Sequence, residues 1–196
     1  MKEVTRRTRM KAERRLQLVH AASRLFAERG FRAVSMEYLA AEAGVSGPAI
    51  YRHFASKEAL LADLLIDVSE QLLEQGTRRA TVAPPLEALT LLIAFHTEFA
   101  LRDRDLIRIQ DHDFANLALE DARTVSRLQR SYLDVWVGVL RRVDPALSES
   151  VARTKIQAVF GLLNSTPHSA SHRDTEATRL ILETMAFDAL GLALVR

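Results

Sequence analysis

Carboxylate and imidazole side chains that could bind a metal or exchange protons occur at two places in this 196-residue sequence. The first group is Asp111, His112 and Asp113 with Glu120, and the second is His168 with His172. Metal ligands and acid–base groups must converge on one point, whereas three consecutive residues of a helix point in different directions. The two histidines lie in a Ser-rich segment without a carboxylate motif, and the chain has no Cys. We therefore predict a protein that is not an enzyme, with no catalytic residue, metal site or cofactor.

A second group of side chains is arranged for contact with DNA. Tyr51, Arg52 and His53 offer a hydroxyl, a guanidinium and an imidazole group on the outward face of a predicted short helix. Gly47, Pro48 and Ala49 precede them on the outer and flanking surfaces of the same helix. Outward side chains of a short helix are the ones that reach base edges in a major groove.

Two short helices joined by a tight turn must position these side chains. Ser35 and Ser46 can each cap the amino end of a helix, and Gly44 can adopt the left-handed backbone angles that reverse the chain. Ile50 and Phe54 lie four residues apart and are predicted to pack inward. The sequence SMEYLAAEAGVSGPAIYRHF is therefore typical of a helix-turn-helix. An ordinary hairpin in an all-helical protein, with similar caps and alanines, is the alternative.

Charge is distributed unevenly along the chain. Residues 1–58 contain 12 Lys and Arg against 6 Asp and Glu, and the remainder contains 15 against 19. Seven of the basic residues form a predicted arm: Lys2, Arg6, Arg7, Arg9, Lys11, Arg14 and Arg15. A basic arm beside a DNA-reading helix favours phosphate neutralisation, although such a run can also be a solvated tail.

Residues 19–61 closely resemble the N-terminal domain of TetR-family transcriptional regulators. The resemblance rests on residues 50–54 (IYRHF), residues 56–58 (SKE) and a first-helix pattern of Ala22, Leu25, Phe26, Gly30 and Phe31. It implies that Tyr51 contacts the DNA backbone or a base, and that His53 and Lys57 hold phosphates. The alternatives are a core aromatic for Tyr51 and an ordinary surface residue for His53. Gly47 and Ala49 lie where members of the family often have longer polar or basic side chains, which leaves base discrimination to Ser46, Pro48, Arg52 and backbone contacts. The full predicted set is Ser35, Ser46, Gly47, Pro48, Ala49, Tyr51, Arg52, His53 and Lys57.

The rest of the sequence predicts further helices, giving an all-α fold with about nine in total. We divide the chain into a DNA-binding domain with its basic arm, residues 1–58, and a ligand-binding and dimerisation domain, residues 59–196. Gly76 with Pro84 and Pro85 is predicted to end the linking helix. Gly138 and Gly161 lie inside predicted helices, where close packing or room for a ligand would explain them.

The predicted last helix, about residues 174–195, is apolar on several faces. The resemblance implies that the last two helices pair with their copies, so we predict a homodimer that binds double-stranded DNA at a palindromic operator. Burial of the helix within its own subunit is the alternative.

A cavity in the body is expected to bind a small hydrophobic or amphipathic effector. The candidate lining residues are Phe95, His96, Phe99, Ile109, Phe114, Trp136, Phe160 and Asn164. A hydrogen-bonded core histidine is the alternative for His96. Residues 104–119, together with residues 128–140 (LQRSYLDVWVGVL), vaguely resemble relatives that respond to fatty-acyl or acyl-CoA compounds. By analogy we expect a repressor released by its effector. The alternative is a DNA-binding regulator without a small-molecule ligand, either controlled by a partner protein or constitutive.

Segments that could act as a signal peptide or membrane span are not evident. The apolar stretches, such as residues 91–95, are far shorter than a bilayer requires. We therefore predict a cytoplasmic protein without membrane association.

Overall fold

The computed structural model describes residues 6–169 and 175–192, and within these ranges every regular element is helical. Ten α-helices occur there: α1 (Arg6–Arg29), α2 (Met36–Glu42), α3 (Gly47–Ile50), α4 (Lys57–Thr81), α5 (Pro85–Arg102), α6 (Arg104–Asp113), α7 (Leu119–Val143), α8 (Glu149–Leu163), α9 (Thr166–Ser169) and α10 (Thr175–Leu190). Short 3₁₀ turns lie at Phe31–Ala33 and Phe114–Asn116. The all-α prediction is confirmed, and the helix beyond the expected nine is the single turn α9.

Serine side chains define where three of the helices begin. The hydroxyl oxygens of Ser35, Ser56 and Ser148 accept hydrogen bonds of 3.1, 3.1 and 3.3 Å from the amides three residues ahead. Each bond satisfies an amide that has no partner within its helix, so these serines fix the starts of α2, α4 and α8.

The linking helix α4 is longer than its sequence suggested, and the break predicted at Gly76 is wrong. Gly76 is buried inside α4, which continues to Thr81. A Cβ at Gly76 would lie 2.4 Å from Cε2 of Tyr132, so the missing side chain makes room for that ring. The chain ends this helix only ahead of Pro84 and Pro85, where proline cannot continue it.

Two large hydrophobic clusters stabilise the fold, and a small third one consists of Phe99, Ala100 and Ile107. The first, which we call the reader core, joins α1–α3 to the first half of α4 through Leu18, Phe26, Ile50 and Leu61. Ile109 of α6 and Val125 of α7 also belong to the reader core. The second cluster packs α5, α7, α8 and α10 around the fully buried Trp136. The domain division at residue 58 stays a prediction.

The last helix is apolar on two sides, as predicted. Leu182, Ala186, Phe187 and Leu190 are buried against the body. Leu180, Ile181 and Met185 are 52, 57 and 47% exposed, so burial within its own subunit accounts for only part of α10. The predicted continuation to Leu194 and Val195 lies outside the described residues. Among the described helices, none combines the length and apolar character needed to cross a membrane.

Candidate functional site

The turn between α2 and α3 has the geometry of a helix-turn-helix. Gly44 has φ of +65°, a left-handed angle that glycine adopts without strain. The amides of Gly44 and Val45 donate to the carbonyl oxygens of Ala41 and Ala40 at 3.1 and 2.9 Å. These bonds close the end of α2 and direct the chain into α3.

The helix α3 presents the predicted DNA-contacting residues while its inner side anchors it. Ile50 and Phe54 are 0 and 4% exposed within the reader core. The exposed predicted residues are Ser35, Ser46, Pro48, Tyr51 and Arg52, whereas Gly47, Ala49 and His53 are half-buried. The regular helix ends at Ile50 and residues 51–53 form a turn, so α3 is shorter than predicted.

Tyr51 is exposed and is held by one hydrogen bond. Its hydroxyl donates to Glu37 Oε1 at 3.3 Å. The backbone amide of Glu37 and the Ser35 hydroxyl lower the pKa of the Glu37 carboxyl, which keeps this acceptor ionised. The phenol ring is therefore oriented on the outer surface and is not a core aromatic.

Lys57 has a structural role in addition to the predicted phosphate contact. Its Nζ donates to the carbonyl oxygens of Phe31 and Val34 at 2.8 and 2.7 Å and lies 4.3 Å from the centre of the Phe31 ring. Because an ammonium group has three N–H donors, one remains beyond these two bonds. The phosphate contact through that donor stays a prediction.

The predicted basic arm is only partly described. Arg15 forms an ion pair with Asp63, and its guanidinium lies 4.6 Å from the centre of the Phe54 ring. This residue therefore joins α1 to α4. Arg14 donates to Gln17 at 3.1 Å. Lys2 and the side chains of Arg6, Arg7, Arg9 and Lys11 lie outside the described part of the structure.

A cavity of about 610 Å³ lies in the body between α4, α5, α6, α7 and α8. Four of the predicted lining residues, His96, Phe99, Phe160 and Asn164, lie on its wall. Whether they bind a ligand stays a prediction.

The other four predicted lining residues, Phe95, Ile109, Phe114 and Trp136, do not line this cavity, and the prediction is corrected for them. Ile109 is fully buried in the reader core and Phe114 packs against that core. Ile109 follows Ile107 by two residues, which is more than half a helical turn, so it points away from the cavity that Ile107 lines. Phe95 lines a neighbouring groove beneath the Arg79 guanidinium. Trp136 is fully buried and does not reach the cavity surface.

His96 is held by hydrogen bonds and ring contacts on several sides. Its Nδ1 lies 3.2 Å from the Tyr132 hydroxyl oxygen, and its Nε2 lies 3.0 Å from Asn164 Oδ1. The imidazole stacks on Phe160 with ring centres 4.8 Å apart. Burial lowers the pKa of His96 to about 4, so the ring is neutral near pH 7. It is a hydrogen-bonded core histidine that also faces the cavity.

Several polar lining residues were missed from the sequence, among them Gln110, Arg130, Arg153 and Gln157. Charged and amide side chains on helices are usually solvated, so their types gave no signal. For Arg153 and Gln157 on α8 the spacing did give a signal, because these two residues continue the helical row of Phe160 and Asn164.

The acidic and imidazole groups considered for metal binding do not converge. Asp113 is buried and its Oδ1 accepts the Phe31 amide at 3.3 Å, while Glu120 pairs with Arg123. Over the described ranges, no group of three or more His, Asp or Glu could hold a metal ion. The His168 side chain and His172 lie outside the described residues.

Known proteins match this chain in both halves. A family model described as "Bacterial regulatory proteins, tetR family" matches residues 18–64, and one described as "Tetracyclin repressor-like, C-terminal domain" matches residues 82–168. The HTH-type transcriptional repressor KstR2 of Rhodococcus jostii is 31% identical over 134 residues. That alignment covers 66% of this chain and 65% of the relative, which is slightly under two thirds of the relative's length.

Two solved structures show the same fold. A TetR-family transcriptional regulator from Bordetella parapertussis superposes with a TM-score of 0.79 at 20% identity, covering 89% of this chain and 94% of that one. The transcriptional regulator FadR from Bacillus subtilis, solved in complex with stearoyl-CoA, superposes with a TM-score of 0.70 at 21% identity, covering 89 and 98%.

Proposed function

The chain belongs to the TetR family of bacterial regulatory proteins, and on this premise we propose a DNA-binding transcriptional regulator that represses from a palindromic operator until a small effector binds. The observation that carries the proposal is the outer surface of α3 and the turn after it. Pro48, Tyr51 and Arg52 are exposed there, while the buried Ile50 fixes the helix behind them. A short helix with one anchored and one accessible side suits insertion into a major groove.

A homodimer would present two such helices to DNA. The exposed apolar side of α10, formed by Leu180, Ile181 and Met185, lacks a cover within the described chain. On α8, Val151 is 46% exposed, and a Cβ added at Gly161 would meet no described atom within 4 Å. Small and apolar residues on adjacent helices favour close approach of the same helices from a second copy. A two-fold axis between them matches a palindromic operator.

The effector belongs in the cavity of the body, and we favour a fatty-acyl or acyl-CoA compound. Phe99, Ile107, Leu133 and Phe160 give the wall an apolar character, and polar groups interrupt it at intervals. The solved FadR structure with stearoyl-CoA has the same fold. The site of action is the cytoplasm, where operator DNA and acyl metabolites meet.

Helix α6 connects the cavity to the DNA-reading helices. Its residues Ile107 and Gln110 line the cavity, whereas Ile109 lies in the reader core and Asp113 accepts the Phe31 amide. An effector that fits the cavity better in one position of α6 than in another shifts the protein toward that position. In the proposed mechanism, the position of α6 that the effector favours changes the distance between the two α3 helices of the dimer, so that they no longer fit successive major grooves.

Retardation of genomic DNA fragments by the purified protein tests the DNA-binding proposal, and two variants separate phosphate from base contacts. Arg52→Ala should change the preferred sequence, because an exposed guanidinium on this surface reaches base edges. Lys57→Ala should weaken binding to all fragments and lower the salt slope by about one. Since Lys57 also donates to the carbonyl oxygens of Phe31 and Val34, the melting temperature of the Lys57→Ala variant is measured as well. If no genomic fragment is retarded even at low salt, the proposal is overturned.

Thermal shift with stearoyl-CoA tests the effector proposal. A ligand that binds only the folded protein raises its melting temperature, and a true effector also weakens operator binding. A complete acyl and acyl-CoA series without any shift would favour the alternative, a regulator without a small-molecule ligand.

A further inference from the structure

The cavity of the body opens to solvent along a polar rim. Its lining residues His96, Phe99 and Tyr132 are buried. Four other lining side chains are exposed and define the rim, namely Asp111 of α6, Gln129 and Arg130 of α7, and Gln157 of α8. The described part of a single copy of the chain therefore leaves this rim uncovered.

Helix α8 carries an exposed face directly beside the residues that line the cavity. The cavity row of α8 consists of Arg153, Gln157, Phe160 and Asn164. The exposed face, which is uncharged, consists of Val151, Thr154, Ala158 and Gly161. Three residues of the cavity row are each followed in sequence by a residue of the exposed face, and consecutive residues lie about 100° apart around a helix. The two surfaces are therefore neighbours, and they meet at Gln157, which lines the cavity and is itself exposed.

The other two sides of α8 are occupied within the subunit. Ile156 and Val159 are buried in the cluster around Trp136. Lys155 Nζ donates to the carbonyl oxygen of Leu190 at 2.7 Å, which places α10 against that flank of α8. Lys155 is two residues from Gln157, more than half a helical turn, so this flank is opposite the cavity row. The exposed face therefore lies between α10 on one side and the rim of the cavity on the other.

This position brings the rim to the edge of the proposed dimer interface. The exposed side of α10 presents Leu180, Ile181 and Met185, and the exposed face of α8 adds small, uncharged side chains. Few charges and large apolar side chains are typical of the centre of an interface, and small side chains let a second helix approach closely. A second copy of the chain, related by a two-fold axis, offers the same surface and covers both helices.

From this arrangement we propose that the second copy of the chain completes the rim of the cavity beside Gln157, so that the effector contacts both subunits. The inference rests on the proposed homodimer and on the proposed effector role of the cavity. An effector that touches both subunits acts directly on their relative orientation, and thereby on the spacing of the two α3 helices.

Protection of a single thiol tests the contact at the rim. The chain has no Cys, so Gln157→Cys introduces a unique site for a bulky maleimide. Its labelling should be at least about tenfold slower than in the same protein with Ile181→Glu and Met185→Glu, because the covered thiol reacts only when the interface opens. Dilution of the Gln157→Cys protein to its monomer gives the same comparison without changes in α10.

Gln71→Cys is the matched control for labelling. Gln71 is also an exposed glutamine within a helix, but it lies on α4 and lines the neighbouring groove. Its labelling rate should be equal in dimer and monomer. A dimer in which Gln157→Cys reacts as fast as in the monomer overturns the inference.

The linkage between effector binding and dimerisation gives a second test. Stearoyl-CoA that contacts both subunits must lower the dissociation constant of the wild-type dimer, which analytical ultracentrifugation measures without any substitution. The Ile181→Glu, Met185→Glu monomer should bind stearoyl-CoA at least about tenfold more weakly, although neither residue lines the cavity. Trp136 is the single Trp of the chain and its ring centre lies 5.0 Å from that of Phe160, so its fluorescence reports binding. Val82→Glu should retain the wild-type affinity.

The outcomes separate the inference from the proposals beneath it. A wild-type protein that sediments as a monomer at every concentration overturns the homodimer and the shared rim together. Protection of Gln157→Cys in a protein that does not bind stearoyl-CoA supports the contact at the rim and overturns the choice of effector. Equal affinity of dimer and monomer for stearoyl-CoA contradicts an effector held by both subunits and leaves its binding to the cavity intact.

Discussion

Gly76 shows how a single missing side chain positions the wall of the cavity. A Cβ at this residue would lie 2.4 Å from Cε2 and 3.0 Å from Cδ2 of Tyr132, whose ring is buried. We expect Gly76→Ala to displace the ring and lower the free energy of unfolding by about 1–3 kcal/mol, measured by urea denaturation. The same displacement should lengthen the hydrogen bond between Tyr132 and His96.

Gly138 supplies the matched control for this prediction. It lies inside α7, is exposed, and has no atom near the position of an added Cβ. Of the two reasons expected for Gly138 and Gly161, close packing within the subunit therefore does not explain either residue. Gly138→Ala should raise the free energy of unfolding by about 0.5–1 kcal/mol through helix propensity. A destabilised Gly138→Ala, or an unaffected Gly76→Ala, would contradict the packing argument.

The buried His96 should make stability depend on pH. Its pKa of about 4 in the folded protein lies below the ordinary value of 6.5, so the unfolded chain binds the proton first as pH falls. The neutral His96 therefore contributes fully to the free energy of unfolding above pH 6.5, and this contribution is lost as the pH falls from 6.5 to 4. At pH 5 the free energy of unfolding is lower by about 2 kcal/mol. Urea midpoints at pH 7.5 and 5 measure the loss. His96→Gln, which does not titrate, should show a smaller difference; an equal one would refute the assignment.

Residue types predicted the local geometry well where the cause is local. Ser35 and Gly44 act within three or four residues of chain, so their cap and turn could be predicted from the sequence. Gly76 could not, because its partner Tyr132 is distant in sequence and reaches it only through packing of α4 on α7. The apolar side chain of Ile109 suggested a cavity wall, but only the rotation of α6 decides which side it faces.

At the scale of elements, α6 joins the body to the turn at Phe31–Ala33. We expect Asp113→Ala to lose the bond to the Phe31 amide, to speed hydrogen exchange of that amide, and to lower the free energy of unfolding by about 1–2 kcal/mol. Asp113→Asn keeps an acceptor oxygen and should remain near wild type. The effect of stearoyl-CoA on operator affinity should shrink in the Ala variant alone.

If hydrogen exchange of the Phe31 amide is unchanged in Asp113→Ala, the bond from this amide to Asp113 does not couple α6 to the turn at Phe31–Ala33. The sequence could not have suggested this connection, since there Asp113 was only a possible metal ligand or acid–base group. Only the tertiary contact between α6 and the end of α1 places its carboxylate against a free amide.

At the scale of the whole molecule, the apolar side of α10 predicts the oligomeric state. Ile181→Glu with Met185→Glu should yield a monomer in analytical ultracentrifugation, because charge on the paired faces is costly to bury. Operator affinity should fall by at least about tenfold, since one reader helix binds without its copy. Both substitutions retain helix-forming residues.

Val82→Glu is the control for added charge on an exposed apolar residue. Val82 is 71% exposed just beyond α4, away from α8 and α10 in sequence, and its variant should remain dimeric. A dimer that survives both α10 substitutions would remove this face from the interface.

The reader core also limits how far the DNA-reading helices can be transplanted. Leu18, Phe26 and Ile50 are covered partly by Leu61 and Leu65, and also by Ile109 and Val125 from much later in the chain. A chimera joined at residue 58 would separate these partners and replace them with whatever the recipient protein supplies. To transfer the DNA specificity of this chain to another protein, the outward residues of α3 should therefore be grafted onto a recipient whose α3 helix keeps its own buried side chains.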